Sequence, residues 1–380
     1  MRGTLEGLKL NSSFLTLVRL GIGTSKNANI PNDVDWNELK ALAEKQELSA
    51  IVLDGIDALQ SLSCSKGLSS LSTDSLPLET KLEWIGEVHQ FYEQRHEQYL
   101  QAISDLAKFY NSHGFKMMVL KGYACSLNWP KPEHRPCGDI DIWLFGQQKE
   151  ADAALTAWFK GLKVKGFKID NSHHHHSVFY WHDFMVENHY DFINVYHHKS
   201  NVAFEKILKK LAADSSHSIE MCGEKVYLPS PNLHALYLLK HTMMHFAAEG
   251  ITLRQLLDWA FLVKAHGKDV NWEWLEGVLD DFGMRRLYDI FNAICVENLG
   301  FDVRLFSRVQ FEPTLKDKVL KEILSPEYSE GLPSNTIMRS FYKLRRWIGN
   351  AWKHDLCYKE SMWSAFWSGL VNHLLKPSSI

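Results

Sequence analysis

The chain has 380 residues, 45% of them apolar and 23% charged, which is enough for two or three domains with an ordered core. Its formal charge of −3 argues against a generic nucleic-acid binder. Six scattered cysteines without a Cys-x-x-Cys pair exclude a zinc ribbon or disulfide framework and suit a reducing cytoplasm.

Residues 1–112 read mainly as helix. The stretch 15–22 is apolar but short and carries Arg19, so no signal peptide is expected. Trp36, Leu39, Leu42 and Ala43 recur at helical spacing behind Asp33 and Asp35 as caps. Residues 59–78, rich in Ser, Leu and Gly, predict a loop. Residues 82–110 predict one long amphipathic helix, with Trp84, Ile85, Val88, Phe91 and Tyr92 near one face.

The texture changes at His113-Gly114. Residues 116–120 predict a short strand ending in a turn at Lys121-Gly122, and 123–129 a helical segment. Pro130, Pro132 and Pro136 then impose a loop before the run Gly138-Asp139-Ile140-Asp141-Ile142-Trp143-Leu144. Residues 150–161 predict a helix, and 167–188 one or two strands around a His-rich stretch. From Pro229 onward the pattern is helical again, with helices over 231–249, 252–266, 272–282 and 285–299. The fold class is α+β: a small mixed-sheet core over 113–228, flanked by an N-terminal helical region, 1–112, and a C-terminal helical domain, 229–380.

The run at 138–144 carries the chemistry. Asp139 and Asp141 are two apart in a β-branched strand, so they share a face while Ile140, Ile142 and Leu144 point into a core. Two carboxylates side by side repel unless a cation sits between them, which points to a divalent metal. Upstream, Lys121 and Gly122 at a helix start offer a charge and backbone N–H groups to phosphate oxygens. Arg135 stands just before the strand, placed to offset phosphate charge. Downstream, Glu187 can supply a third carboxylate from a neighbouring strand, with Asp191 as its rival.

A glycine turn, an Asp-x-Asp strand and a third carboxylate resemble the polymerase-β-like nucleotidyltransferase superfamily. Val119-Leu120-Lys121-Gly122, Trp129-Pro130, Arg135 and Gly138-Asp139-Ile140-Asp141-Ile142 are similar to its uncharacterised nucleotidyltransferase family. So are Val186-Glu187-Asn188-His189, the run Leu253-Arg254-Gln255-Leu256-Leu257-Asp258, and the N-terminal helical part with Trp36 and Ala43-Glu44-Lys45-Gln46. The resemblance spans about residues 14–300. One departure is Tyr123 after Gly122, where many superfamily members have Ser, so Lys121 and backbone amides must replace that hydroxyl.

The resemblance implies in-line attack on the α-phosphate of a nucleoside triphosphate, ATP being the expected one, with release of pyrophosphate. Two Mg²⁺ ions about 3.5–4 Å apart, with Mn²⁺ as an alternative, would be held by Asp139, Asp141 and Glu187. Lys121, Gly122, Arg135 and Gly138 would form the nucleotide side. The acceptor, a small molecule or a protein side chain, would meet His189, His245, Arg254 and Asp258. The alternative is a non-catalytic nucleotide-binding regulator or scaffold on the same fold.

Other signals weigh less. His173 to His176 cannot all converge on one metal from a strand, and they predict a solvated strand with one or two rings facing the acceptor pocket. His241 and His245 have zinc-ligand spacing, but Thr242 stands where a zinc protease has Glu. Arg254 and Asp258 also suit a simple helical ion pair. The tail over 338–375 mixes basic residues with tryptophans. It predicts a helix docking its aromatics on the core, with a partner surface for a membrane periphery or nucleic acid as the alternative. No run of about 18 apolar residues predicts a membrane span.

Overall fold

The computed structural model describes residues 2–26, 30–66, 75–173, 175–196, 198–328 and 334–375. The N-terminal third is α1 (Arg2–Gly21), α2 (Trp36–Lys45), α3 (Ser49–Lys66), α4 (Leu78–Val88) and α5 (Gln94–Ser112). Asp35 caps α2 by accepting from the amides of Asn37 and Glu38. The loop expected over 59–78 is helical up to Lys66, because the stripe of Leu53, Ile56 and Leu59 is buried. Residues 67–74 lie outside the described part. α1 and α3 meet at Gly55, where a Cβ would come within 2.1 Å of the Leu17 carbonyl oxygen.

The helix expected over 82–110 is two helices joined by a π-helical turn, His89–Glu93. The extra residue per turn rotates the buried face. α4 buries Trp84 and Val88 in one core, whereas α5 buries Tyr99, Ile103, Leu106 and Tyr110 in another.

The middle of the chain is β1 (Met118–Val119), α6 (Lys121–Ser126), β2 (Ile140–Trp143), α7 (Gln148–Gly161), β3 (His176–Trp181), β4 (Phe184–His189), α8 (Lys199–Ala213), β5 (Ser218–Met221) and β6 (Glu224–Tyr227). The strands form one mixed sheet in the order β3-β4-β2-β1-β6-β5. β2 and β4 are parallel, as are β1 and β6; the other neighbours are antiparallel. Side chains alternate across the sheet, as the pleat requires. Ile140, Ile142, Leu144 and Val186 enter the core shared with α5 and α7. Trp143, Met118 and Leu120 enter the opposite core. Asp141 shares the second face.

The C-terminal part is α9 (Pro231–Ala248), α10 (Leu253–His266), α11 (Trp272–Asp281), α12 (Arg285–Glu297), α13 (Pro313–Leu324), α14 (Thr336–Gly349), α15 (Ala351–Cys357) and α16 (Met362–Leu375), of which α9–α13 and α15 share the core of that second face. α10 opens with a capping box between Thr252 and Gln255. One continuous core joins α1–α4 with α9–α13. The expectation that the tail docks its aromatics holds for Trp352, which packs edge-on against Phe246. It fails for Phe341, Trp363 and Trp367, which are exposed. No helix among the described residues is long and apolar enough to cross a membrane.

Candidate active site

Strand pairing sets the geometry of the site. Asp141 on β2 stands directly opposite Glu187 on β4, and His176 on β3 opposite His189. Asp139, just ahead of β2, is fixed through its backbone: Tyr99 of α5 donates to the Asp139 carbonyl at 2.8 Å. Gly122 packs against that tyrosine, since a Cβ there would come within 2.6 Å of the Tyr99 hydroxyl.

Lys121 opens α6 with φ at 28°, a region that costs a non-glycine residue roughly 1–3 kcal/mol. The strained backbone sets its Nζ 2.7 Å from Asp141 Oδ1. His189 Nε2 lies 2.8 Å from the same oxygen and 3.4 Å from Glu187 Oε2. Among the described residues, Asp141, Glu187 and His189 are the one group whose ligand atoms all lie within 4.8 Å of one another. Asp191, the rival carboxylate, is instead paired with Lys209.

Lys121, Gly122, Asp139, Asp141, Glu187 and His189 line a cleft of about 700 Å³. Its far wall is α9 and α10. His241 and His245 both face the cleft, with ring centroids 4.4 Å apart, and belong to no described metal group. His175 and His176 also line it; His174 lies outside the described residues. Gly138 is exposed at the rim.

Arg135 and Asp258 are buried together. Arg135 donates Nε and Nη2 to the two Asp258 oxygens at 2.8 and 3.0 Å. Trp129 Nε1 and Arg254 Nη1 donate to the same carboxylate at 2.9 and 2.8 Å. Arg254 also reaches Glu47 at 2.6 Å. The bidentate geometry makes Asp258 the partner of Arg135 and clamps the pre-β2 loop to α10, while Arg135 also lines the cleft. Arg254, less deeply buried, borders the cleft on that side.

Residues 32–300 match a family described as uncharacterised nucleotidyltransferase. The chain belongs to this family. No curated protein matches it. Among solved structures it is similar to an antigenic nucleotidyltransferase-like protein from Paracoccidioides brasiliensis. That likeness has 15% identity and a TM-score of 0.32, over 44% of this chain and 75% of the other.

The electrostatics of this nucleotidyltransferase-family cleft centre on Asp141. Burial opposes its ionisation, but the Lys121 charge and the His189 hydrogen bond outweigh burial and hold its carboxyl below the usual range. Burial likewise opposes the charge on His189, yet its bonds to Asp141 and Glu187 raise it to about 9. Asp139 is pushed up to about 6, first by repulsion from Asp141 and then by burial. His241 is held well below its usual value by burial and by Lys121, so it is neutral near pH 7. His241 and His245 are marked in the sequence by their spacing, whereas Tyr99 is not marked at all. Tyr99 is one aromatic among many on a long helix, and nothing local marks it as the partner of a carbonyl forty residues on.

Proposed function

We propose that this chain is a metal-dependent nucleotidyltransferase, moving a nucleoside monophosphate from a nucleoside triphosphate, ATP first, to an acceptor hydroxyl or amine and releasing pyrophosphate. The observation that carries the reading is the pairing of Asp141 with Glu187 across adjacent strands, with Asp139 beside them.

The residues fit a divalent cation. Three carboxylates crowd one sheet face, and their mutual repulsion is already visible in the raised Asp139. The positive groups among them, Lys121 and His189, converge on a single Asp141 oxygen. Hard oxygen donors suit Mg²⁺, and the His189 nitrogen widens the set to Mn²⁺. Asp139, Asp141 and Glu187 would hold the ion, which when bound stabilises charge on the attacking and leaving oxygens.

The remaining work falls to the chain itself. Lys121 moves its charge from Asp141 to the triphosphate. Backbone amides at the start of α6 bind phosphate oxygens beside Gly122. Glu187 takes the acceptor's proton as the acceptor bonds to the α-phosphorus and the bond to pyrophosphate breaks. His189 orients Asp141 and Glu187 through its two contacts. The acceptor lies against His241 and His245, between the sheet and α9. The ion-paired wall of Arg254, Glu47 and the Arg135–Asp258 clamp keeps the cleft shaped without contacting the reacting atoms. The protein works in the cytoplasm; its buried Cys125, Cys295 and Cys357 are free thiols.

The test is pyrophosphate release from Mg²⁺-ATP across small hydroxyl and amine acceptors and protein substrates. Release in the wild type and its loss in Asp141→Asn support the reading. Tight calorimetric binding of Mg²⁺-ATP with no release from any acceptor supports a regulator without turnover instead.

A further inference from the structure

The cleft leaves one large feature of the molecule unused, the tail. α14 is amphipathic, and its faces are turned opposite to those of an ordinary packed helix. Phe341, Leu344 and Ile348 fall within one helical stripe and are 69%, 52% and 57% exposed. The opposite face is turned toward the body. There Arg346 donates Nε and Nη2 to the Ala248 carbonyl at 3.2 and 2.7 Å, and Asn350 donates to the same oxygen. α16 adds exposed Trp363, Phe366 and Trp367. Trp347 of α14 joins the two helices by ring contacts with Trp363 and Phe366, at 5.2 and 5.6 Å.

The charge around this stripe is one-sided. α14 itself, residues 336–349, contains Arg339, Lys343, Arg345 and Arg346 and no Asp or Glu, in a chain whose formal charge is −3. Lys343 and Arg345 are exposed beside the apolar stripe. An outward apolar stripe flanked by basic groups and tryptophans suits a bilayer interface, with rings among the acyl chains and cations at anionic headgroups. A dry protein interface would not need the exposed Lys343 and Arg345 beside it, and RNA would leave the aliphatic Leu344 and Ile348 without a partner.

We propose that α14 and α16 form a peripheral docking surface for an anionic lipid bilayer. The surface is attached at the C-terminal end of α9, the helix that brings His245 to the cleft. Docking therefore holds the cleft rim close to the membrane plane.

The full chain is to be sedimented with phosphatidylcholine vesicles containing phosphatidylglycerol and, separately, with phosphatidylcholine alone. The wild type should bind the anionic vesicles, and high salt should weaken that binding. The triple variant Phe341→Glu, Leu344→Glu, Ile348→Glu should lower the partition by about tenfold or more, with unchanged circular dichroism because these side chains are exposed. Lys343→Glu with Arg345→Glu should lower binding to anionic vesicles at unchanged fold. No binding to anionic vesicles overturns the proposal. So does a wild-type dimer in light scattering that the triple variant turns into monomer without any vesicle binding. Equal vesicle binding by wild type and triple variant, or stripe-dependent binding of single-stranded RNA in place of vesicles, also overturns it.

Discussion

Asp141 Oδ1 receives both Lys121 and His189, and the residues that hold this arrangement in place are individually testable. Gly122 is needed where Tyr99 reaches past it to the Asp139 carbonyl. Gly122→Ala is expected to destabilise the fold by roughly 1–3 kcal/mol through overpacking. Tyr99→Phe should cost roughly 1 kcal/mol by leaving that carbonyl unpaired. Urea denaturation of both variants measures this. Another residue tests burial on α9, next to His241 of the cleft wall. Lys240 is enclosed by the rings of Phe204 and Tyr358, 5.2 and 4.4 Å from its Nζ, and burial lowers it to about 8. Below pH 8 it is charged in both folded and unfolded states and the folded state bears the full penalty. As pH rises from 8 through 10.5 the folded lysine is neutral first, so that penalty fades. Lys240→Met should therefore stabilise the protein by about 3 kcal/mol at pH 7, with the gain shrinking toward pH 10.5. Thermal melts of the two proteins across this range check the sign. Of these residues, Asp139 and Asp141 could be read from sequence because two-residue spacing and strand texture are local signals, and Lys121 because it stands at a turn after a strand; Glu187 is one of two candidates, beside Asp191. Tyr99 and the burial of Lys240 depend on contacts between distant segments and carry no local mark.

At the scale of elements, α10 and the loop before β2 are joined by one carboxylate. Asp258 accepts from Arg135, Trp129 and Arg254 at once, fully buried. The spacing of Arg254 and Asp258 on one helix was visible in the sequence, but the bond to Arg135 spans 123 residues and was not. Removing one partner of a buried ion pair strands the other charges, so Asp258→Ala should destabilise by roughly 3–5 kcal/mol. Asp258→Asn, which keeps the shape, should cost less. Denaturant midpoints of the two variants distinguish a clamp from an exposed ion pair, whose loss would cost under about 1 kcal/mol. Other elements escaped the sequence reading for physical reasons. β5 and β6 are four residues each, and their turn is Cys222-Gly223, with both residues at positive φ. Such a turn is usually announced by Asn-Gly or Asp-Gly. The π turn between α4 and α5 adds one residue to an unbroken helical pattern, which periodicity over a whole helix averages away. The helices over 231–266 were readable because their apolar spacing is long and their start signals, Pro231 in the first turn of α9 and the cap Thr252, are local.

For the molecule as a whole, the sheet is a partition between two cores. The face without carboxylates packs on α5 and α7, and the carboxylate face packs on helices from both ends of the chain. Residues 113–228 alone would lose α5 from one face and α9 from the other, exposing Leu120, Trp143, Ile142 and Val186. That fragment is expected to lack a near-ultraviolet circular dichroism signal and to aggregate. The helical, mixed, helical order was readable as composition. That both helical ends share one core was not, because apolar periodicity shows which face is buried and not against what.

The central claim is that Asp139, Asp141 and Glu187 form a divalent-cation site that works with a nucleoside triphosphate. The most direct measurement is a Mn²⁺ titration by electron paramagnetic resonance, with and without ATP, on the wild type, Asp141→Asn and Glu187→Gln. Mn²⁺ should bind the wild type more tightly with ATP present, since the triphosphate gives Lys121 another partner, and each variant should weaken that binding by about a hundredfold. Undiminished Mn²⁺ and ATP binding in both variants would contradict the assignment.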